Sequence, residues 1–478
     1  MVVAWRIETL YISDWFDVTV NGTSPFQINH YLNEMPAKVD VQVKVVHGGQ
    51  SYIFPGIGST QRDDDIASEY GGVASLYDSQ HVKLFVPVAK KFTNGFGRII
   101  TTGGGSYSGP FHGTFVTGKV RIRVWKLSEL PTPIFSITSG LSISTGSPYQ
   151  QVTACFGANP DLVIVQLVFN DGYVTEGTGV TPVTADDTHT NHICGVIFGV
   201  NQDSITLWAP SKNDDWVACY YDGWGSENLR YSSAAIIVRA WSFSEVYEVD
   251  SFPYNWAEYL SGIFPAPYPI DLDYHFVSVE VKSLSVTNGR MFYGAGSASV
   301  GNSSESLGGI VYGYTESEIL LWTPTSTNSH LIYIDGVWGD GSDNLQEDSV
   351  QITIKIINAD ISECAPPSDI TNTVKVYNGL RRGSLTSYSC LEGFVSNGGL
   401  SVTSCNGTHW LETNMTCSIS TAVPDPPTIA NADILVSGNI AQYACRTGFY
   451  ADMGENIILY NGAAGWTSTN LECKQGDS

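Results

Sequence analysis

The sequence predicts an all-β protein: three tandem antiparallel β-sandwich domains followed by two small disulfide-linked modules. Three observations carry that prediction. Five sequence anchors recur in the same order three times, at intervals of roughly 115 to 125 residues. The strands among them alternate apolar and polar residues, the period-2 sign of a strand with one face in a core and one in water. Beyond Ile361 the texture changes to short, cysteine-rich segments. The boundaries expected are residues 1–129, 130–247 and 248–362 for the sandwiches, then 363–419 and 420–478 for the modules.

The anchors justify the repeat one by one. "SPFQ" (Ser24–Gln27) returns as "SPYQ" (Ser147–Gln150) and "APYP" (Ala266–Pro269). Next come "KVDVQVKVV" (Lys38–Val46), "LVIVQLVF" (Leu162–Phe169) and "FVSVEVK" (Phe276–Lys282). A glycine-rich apolar stretch follows at Tyr70–Tyr77, Cys194–Val200 and Gly308–Tyr314. "VKLFVP", "ITLWAP" and "ILLWTP" are the fourth anchor, ending at Pro87, Pro210 and Pro324. A proline has no N–H to donate and so ends sheet pairing. The paired residues Leu84/Phe85, Leu207/Trp208 and Leu321/Trp322 point to opposite faces, so one of each pair fills a core. The unit closes with Lys119–Trp125, Ala235–Trp241 and Val350–Ile356.

Composition narrows the function. At 478 residues the chain is too long for one core. Its 23 basic residues face 47 acidic ones, a net charge of -24. That disfavours nucleic-acid backbones and anionic membranes, and leaves calcium, polysaccharides and other proteins as partners. Gly 48, Tyr 25 and Trp 12, with 15% charged residues, suit glycine-turned aromatic β-structure. No apolar run is long enough for a transmembrane helix, so no membrane insertion is expected. "MVVAWRIETL" lacks a signal peptide's basic and apolar regions, so a removed signal or a longer parent chain is expected. N-glycosylation sequons stand at Asn21, Asn302, Asn406 and Asn414 and argue for secretion.

Between the fourth anchor and the closing strand lies a decorated turn: "YYDGWGSENL" (Tyr220–Leu229) and "YIDGVWGDGSDNL" (Tyr333–Leu345). The first repeat has "IITTGGGSYSGP" (Ile99–Pro110) there. Glycine recurs as Gly103, Gly223 and Gly336, as a turn with positive φ requires. The acids and tryptophan do not recur. Asp222, Trp224 and Glu227, with Asp335, Trp338, Asp340 and Asp343, are therefore candidate calcium or sugar contacts of the second and third repeats. The acidic stretches Arg62–Gly72, Ala185–Asn191 and Gly339–Asp348 offer further oxygen ligands, with a solvated loop as the plain alternative. The sequence establishes no cofactor; calcium is the metal these clustered oxygen donors favour, and no metal-ligand set is assigned. "HTNH" (His189–His192) lacks an evident third zinc ligand. No nucleophile elbow, zincin or Walker motif occurs, so the chain reads as a non-enzyme.

The segment from Cys364 to Cys417 carries four cysteines, "YSCLEGF" (Tyr388–Phe394), and Trp410 before the last cysteine. It resembles a complement control protein module, also called a sushi domain. The resemblance implies the pairs Cys364–Cys405 and Cys390–Cys417, one buried tryptophan and an extracellular setting. A second copy, with "YACRTGF" (Tyr443–Phe449), Trp466 and Cys473, keeps only the pair Cys445–Cys473. Cys155, Cys194 and Cys219 remain, an odd number that permits one bridge and one free or intermolecular thiol. The three-fold repeat resembles repeats of secreted invertebrate matrix proteins, and is similar to H-type lectins in its alternating and closing strands.

These readings converge on a secreted, non-enzymatic structural or adhesive protein. Sandwiches strung in series make a rod, and exposed edge strands or the N-terminal segment join subunits into fibres by strand addition. The alternative is a multivalent lectin whose exposed Trp224 and Trp338 stack on sugars. Partners are then further copies, other extracellular proteins, or glycans.

Overall fold

The computed structural model describes residues 10–58, 69–88, 96–178, 193–211, 215–243, 246–255, 262–284, 289–295, 308–325, 329–334, 337–341, 345–359, 364–377, 379–380, 384–405, 409–419, 423–461 and 464–475. These are strands and turns, with three short 3-10 turns and no α-helix among the described residues. The chain forms two compact units, Met1–Ala359 and Asp360–Ser478.

Each repeat builds a sandwich from the strands its anchors mark. The central strand is Lys38–His47, Leu162–Val168 or His275–Ser283. It pairs with the closing strand Thr117–Trp125, Ser233–Trp241 or Ser349–Asn358, and with a hairpin partner Gln50–Pro55, Val174–Glu176 or Met291–Tyr293. Facing them is a second layer: Ala74–Tyr77 with His81–Phe85, Ile197–Val200 with Ser204–Trp208, and Val311–Tyr314 with Glu318–Pro324. The third anchor-one match is displaced. In repeats one and two the anchor runs into a strand, Phe26–Asn29 and Tyr149–Thr153, whereas Ile263–Pro265 precedes "APYP".

The sheets do not stop at the repeat boundaries. Ile53 of the first repeat pairs with Tyr314 of the third, Val174 of the second with Tyr77 of the first, and Met291 of the third with Val200 of the second. Each sheet therefore starts in one repeat and continues into a neighbour, and the three joins close a cycle. Serial beads on a rod would each keep both sheets. The three repeats instead share them and form one body, which corrects the rod. Joining strands that would have offered free edges are already paired.

The cores explain why. Leu84, Leu207 and Leu321 lie in the core of their own repeat. The next residue in each case, Phe85, Trp208 or Trp322, lies in the core of another repeat. All six are fully buried. Alternation along a strand here sends successive side chains into two different cores, and neither face is left to water. A further apolar cluster joins the ends of the closing strands, with Trp125, Trp241 and Ile357 from the three repeats.

In the second unit, Cys364 bonds Cys405 and Cys390 bonds Cys417. Cys445 bonds Cys473 in the last module. Trp410 is half-buried, not buried as expected, and so is Trp466; each ring Nε1 donates to a backbone carbonyl. Trp410 pairs with Cys405 and its Nε1 donates to Ala365 O, 2.8 Å. Trp466 pairs with Tyr460 and donates to Pro424 O, 2.7 Å. Val423 and Tyr460 thus occupy the places of Cys364 and Cys405. The Tyr460 and Trp466 rings, 5.5 Å apart, fill the space of the absent bridge. The double change Val423→Cys with Tyr460→Cys is expected to oxidise spontaneously and add about 3 kcal/mol to that module. Intact mass and thermal unfolding with and without reductant check it.

Candidate functional site

The decorated turn is a latch between repeats. In the first repeat the N–H after the anchor proline, that of Val88, donates to Gly223 O of the second, 2.8 Å. The equivalent N–H of Ser211 donates to Val337 O of the third, and that of Thr325 to Ser106 O of the first, each 2.9 Å. Three equivalent bonds thus link each turn to a neighbour. The strand changes partner around the proline: Pro210 already bridges to Trp338, and Thr323–Pro324 pair with Tyr107–Ser108, while the N–H that follows each proline bonds the neighbouring turn.

Side chains reinforce each latch. Tyr70 donates to Gly223 O at 3.0 Å and packs on Trp224, with rings 5.7 Å apart. Tyr107 donates to Gly308 O of the third repeat, 3.1 Å. Trp322 Nε1 donates back to Phe111 O of the first, 2.7 Å. Gly103 has φ 91, as the sequence predicts, but Gly223 is constrained differently. A Cβ there would lie 2.3 Å from the Tyr70 hydroxyl, and the positive φ falls on Gly225 instead. Gly336 lies outside the described residues.

Trp224 and Trp338 are fully buried in the cores of the second and third repeats. This corrects their expected role as exposed sugar platforms: the turn folds its ring inward to complete the core beneath it. Trp224→Ala is accordingly expected to destabilise the three-repeat unit by about 3–5 kcal/mol. Chemical denaturation measures it.

The remaining candidates scatter. Glu227 pairs with Lys83 of the first repeat, 3.2 Å. Asp340 is exposed. Asp335 and Asp343, and the Asp222 side chain, lie outside the described residues, as do His189–His192 and most of the acidic stretches. Among the described residues no group of three or more His, Cys, Asp or Glu is placed to hold a metal. Asn21 and Asn414 are exposed, whereas Asn302 and Asn406 lie outside the described residues. Cys194 bonds Cys219 in the buried base of the second repeat's turn, and Cys155 is an exposed free thiol.

What the turns do create is a groove of about 550 Å³ at the junction of repeats one and two, lined by Asn21, Ser24, Gln27, Lys83, Ser226 and Glu227. Burial works against the Lys83 ammonium. The Tyr173 hydroxyl and Glu227 outweigh it and hold its pKa above the ordinary value. Lys83 also lies 4.8 Å from the centre of the Tyr173 ring. The groove is polar, charged at one wall, and assembled from two repeats. Lys83 and Glu227 are 144 residues apart, so no local sequence signal marked Lys83.

A second junction feature is a partly open cavity of about 190 Å³ lined by residues of all three repeats. Gly56, Gly177 and Gly294 lie on its wall, and their N–H groups donate to Val41, Val165 and Val279. A Cβ on Gly56 would meet the Val41 Cβ at 2.5 Å. A glycine 8 to 12 residues past the end of each central anchor was the readable signal, and the sequence reading missed it. Lys38 and Glu176 form an ion pair of 2.6 Å at its edge, across the first two repeats. Nearby, Arg123 is completely buried, bonded to Asp40 and to the carbonyls of Leu272 and His275 in the third repeat.

Comparison with known proteins bears on the second unit. Residues 364–417 match the Sushi repeat (SCR repeat) family. The chain is 30% identical over 119 residues to Sushi, von Willebrand factor type A, EGF and pentraxin domain-containing protein 1 of Mus musculus, covering 24% of this chain and 3% of that protein. The Rattus norvegicus protein of the same name is 29% identical over 118 residues, with the same coverage. The chain thus spans about 3% of the length of these curated relatives. The C-terminal part carries Sushi modules, of the extracellular protein-interaction type. Its disulfides fit an extracellular protein. Among the described residues no helix is long and apolar enough to cross a membrane.

Proposed function

We propose that the chain is a secreted, non-enzymatic adhesive protein. Its three-repeat unit presents composite surfaces at the repeat junctions, and its Sushi modules engage other extracellular proteins. The observation that supports this most is the conjunction of a Sushi repeat with a unit whose repeats meet three times through one latch. Contact surfaces are what both parts multiply. Self-association is part of the reading, through the exposed Cys155 thiol and not through free joining edges. The test is sedimentation of the full chain over a wide concentration range, oxidised and reduced, beside Cys155→Ser. Growth to larger species supports it. A monomer under every condition removes self-association from the reading.

Glycan binding is the second reading, favoured by the polar groove around Lys83 and Glu227. Sugars are held by such groups through charge-assisted hydrogen bonds. A glycan array should give signals that Lys83→Met weakens at least about tenfold, the loss of one such bond. An array left blank by the intact chain removes this reading.

A further inference from the structure

The segment that follows Phe26–Asn29 is built to project an aromatic side chain. Tyr31 is 73% exposed, the most exposed large apolar side chain among those described, and Met35 is 38% exposed. Tyr31 has φ 54 and Asn33 has φ 56. Both are in the left-handed region, which Asn visits readily but which a tyrosine occupies only when its surroundings hold it there.

What holds them is His30. Its ring is 1% exposed. Nδ1 faces the Leu32 N–H at 3.3 Å, and Nε2 lies 3.1 Å from the Asp78 carbonyl oxygen. A backbone N–H only donates, so Nδ1 accepts; a carbonyl only accepts, so Nε2 carries the proton. The ring is therefore the neutral Nε2–H tautomer with both nitrogens in use. Leu32, the residue it grips, sits between the two left-handed residues. Asn33 Nδ2 then donates to Tyr31 O at 3.1 Å and completes the loop.

A second proton on this ring has one place to go, and that place is taken. We propose that His30 is an acid-released latch for the Tyr31–Met35 contact loop. Protonation at Nδ1 converts the acceptor into a donor aimed at the Leu32 N–H. The bond breaks, and Tyr31 and Asn33 lose the contact that keeps them left-handed. The projecting surface is then presented in neutral surroundings and relaxed in acidic ones.

The charged surroundings allow this. Asp78 and His81 face the ring. Burial lowers the His30 pKa most, His81 adds to that, and Asp78 opposes it. The Asp78 carboxylate is itself committed, with Oδ1 accepting from the N–H groups of Gln80 and His81 at 2.7 Å each and Oδ2 lying 3.2 Å from His81 Nδ1. A base whose folded pKa is lowered contributes its full stabilisation above the unfolded value of about 6.5. That contribution is lost as pH falls through 6.5 toward the folded pKa. On the loop side, Tyr31 and Asp14 both face Tyr11, and Glu34 faces Glu129. Burial pushes the Glu129 carboxyl up to about 7. Its protonation on acidification removes a charge beside Glu34 and favours the closed loop, so it opposes His30 and must be separated from it.

His30→Asn makes that separation, because the carboxamide oxygen takes the place of Nδ1 and does not titrate. Amide hydrogen exchange of the full chain is measured at pH 7.5 and pH 5.0, corrected for intrinsic rates. The expected result is a loss of Leu32 protection of at least about tenfold at the lower pH, with the neighbouring Val41 and Val43 amides unchanged and the loss absent in His30→Asn. Equal Leu32 protection at both pH values, or an equal loss in the variant, overturns the proposal. Should the variant fail to fold, the wild-type ring signal decides. Its titration midpoint must coincide with that of the Leu32 amide shift, and separate midpoints overturn the latch.

Discussion

Trp322→Ala is expected to destabilise the three-repeat unit by about 3–5 kcal/mol, and to loosen the first repeat as much as the third, in which Trp322 lies. The ring is fully buried and belongs to the first repeat's core. Its ring neighbours are Phe54, 5.5 Å away, and Phe111, 5.1 Å away edge-on, both in the first repeat. Its Nε1 donates to Phe111 O, and Gly109 backs onto its face where a Cβ would come within 2.2 Å. Truncation leaves a cavity the size of an indole at a repeat junction and an unpaired Phe111 carbonyl. Denaturant melts give the magnitude. Hydrogen exchange in Val39–Val45 gives the location, and a loss confined to residues of the third repeat is the contrary result.

Removing the third repeat, residues 248–359, is expected to abolish folding of the other two as a monomer. Strand Gln50–Pro55 would lose its partner at Ile53, and Val200 would lose Met291. Trp208, now fully buried among residues of the third repeat, would face water. Arg123 would lose the Leu272 and His275 carbonyls and keep only Asp40. Two open sheet edges beside exposed aromatics invite association. Gel filtration and circular dichroism should show aggregation or lost structure; a stable, native-like monomer of two repeats would count against shared sheets.

The sequence revealed the strands well and their partners poorly, for a physical reason. A strand's period-2 pattern reports that its two faces differ. It does not report which core each face enters. At Leu84–Phe85, Leu207–Trp208 and Leu321–Trp322 both faces are apolar, and that doubling was the available sign of burial on both sides. Alternation alone puts one residue of each pair in a core and leaves the surroundings of the other unassigned. The turns were misread in the same direction. Tyr, Trp, Asp and Gly in ten residues describe a ligand loop and a buried latch equally well, and only the neighbour's Tyr70 and Val88 decide between them. The junction groove was invisible because Lys83 and Glu227 meet across a repeat boundary. The Sushi modules were legible because four cysteines, a tyrosine and a tryptophan at fixed spacing leave few other ways to fill so small a core. Even there, Tyr460 in the place of a cysteine became meaningful only once it was seen beside Trp466.

Scanning calorimetry of residues 1–359 tests the central claim most directly. If the repeats share sheets and cores in a closed cycle, they unfold together, in one transition whose calorimetric and van't Hoff enthalpies agree. Three resolved transitions, or a calorimetric enthalpy about three times the van't Hoff value, would mean that each repeat is a domain in its own right.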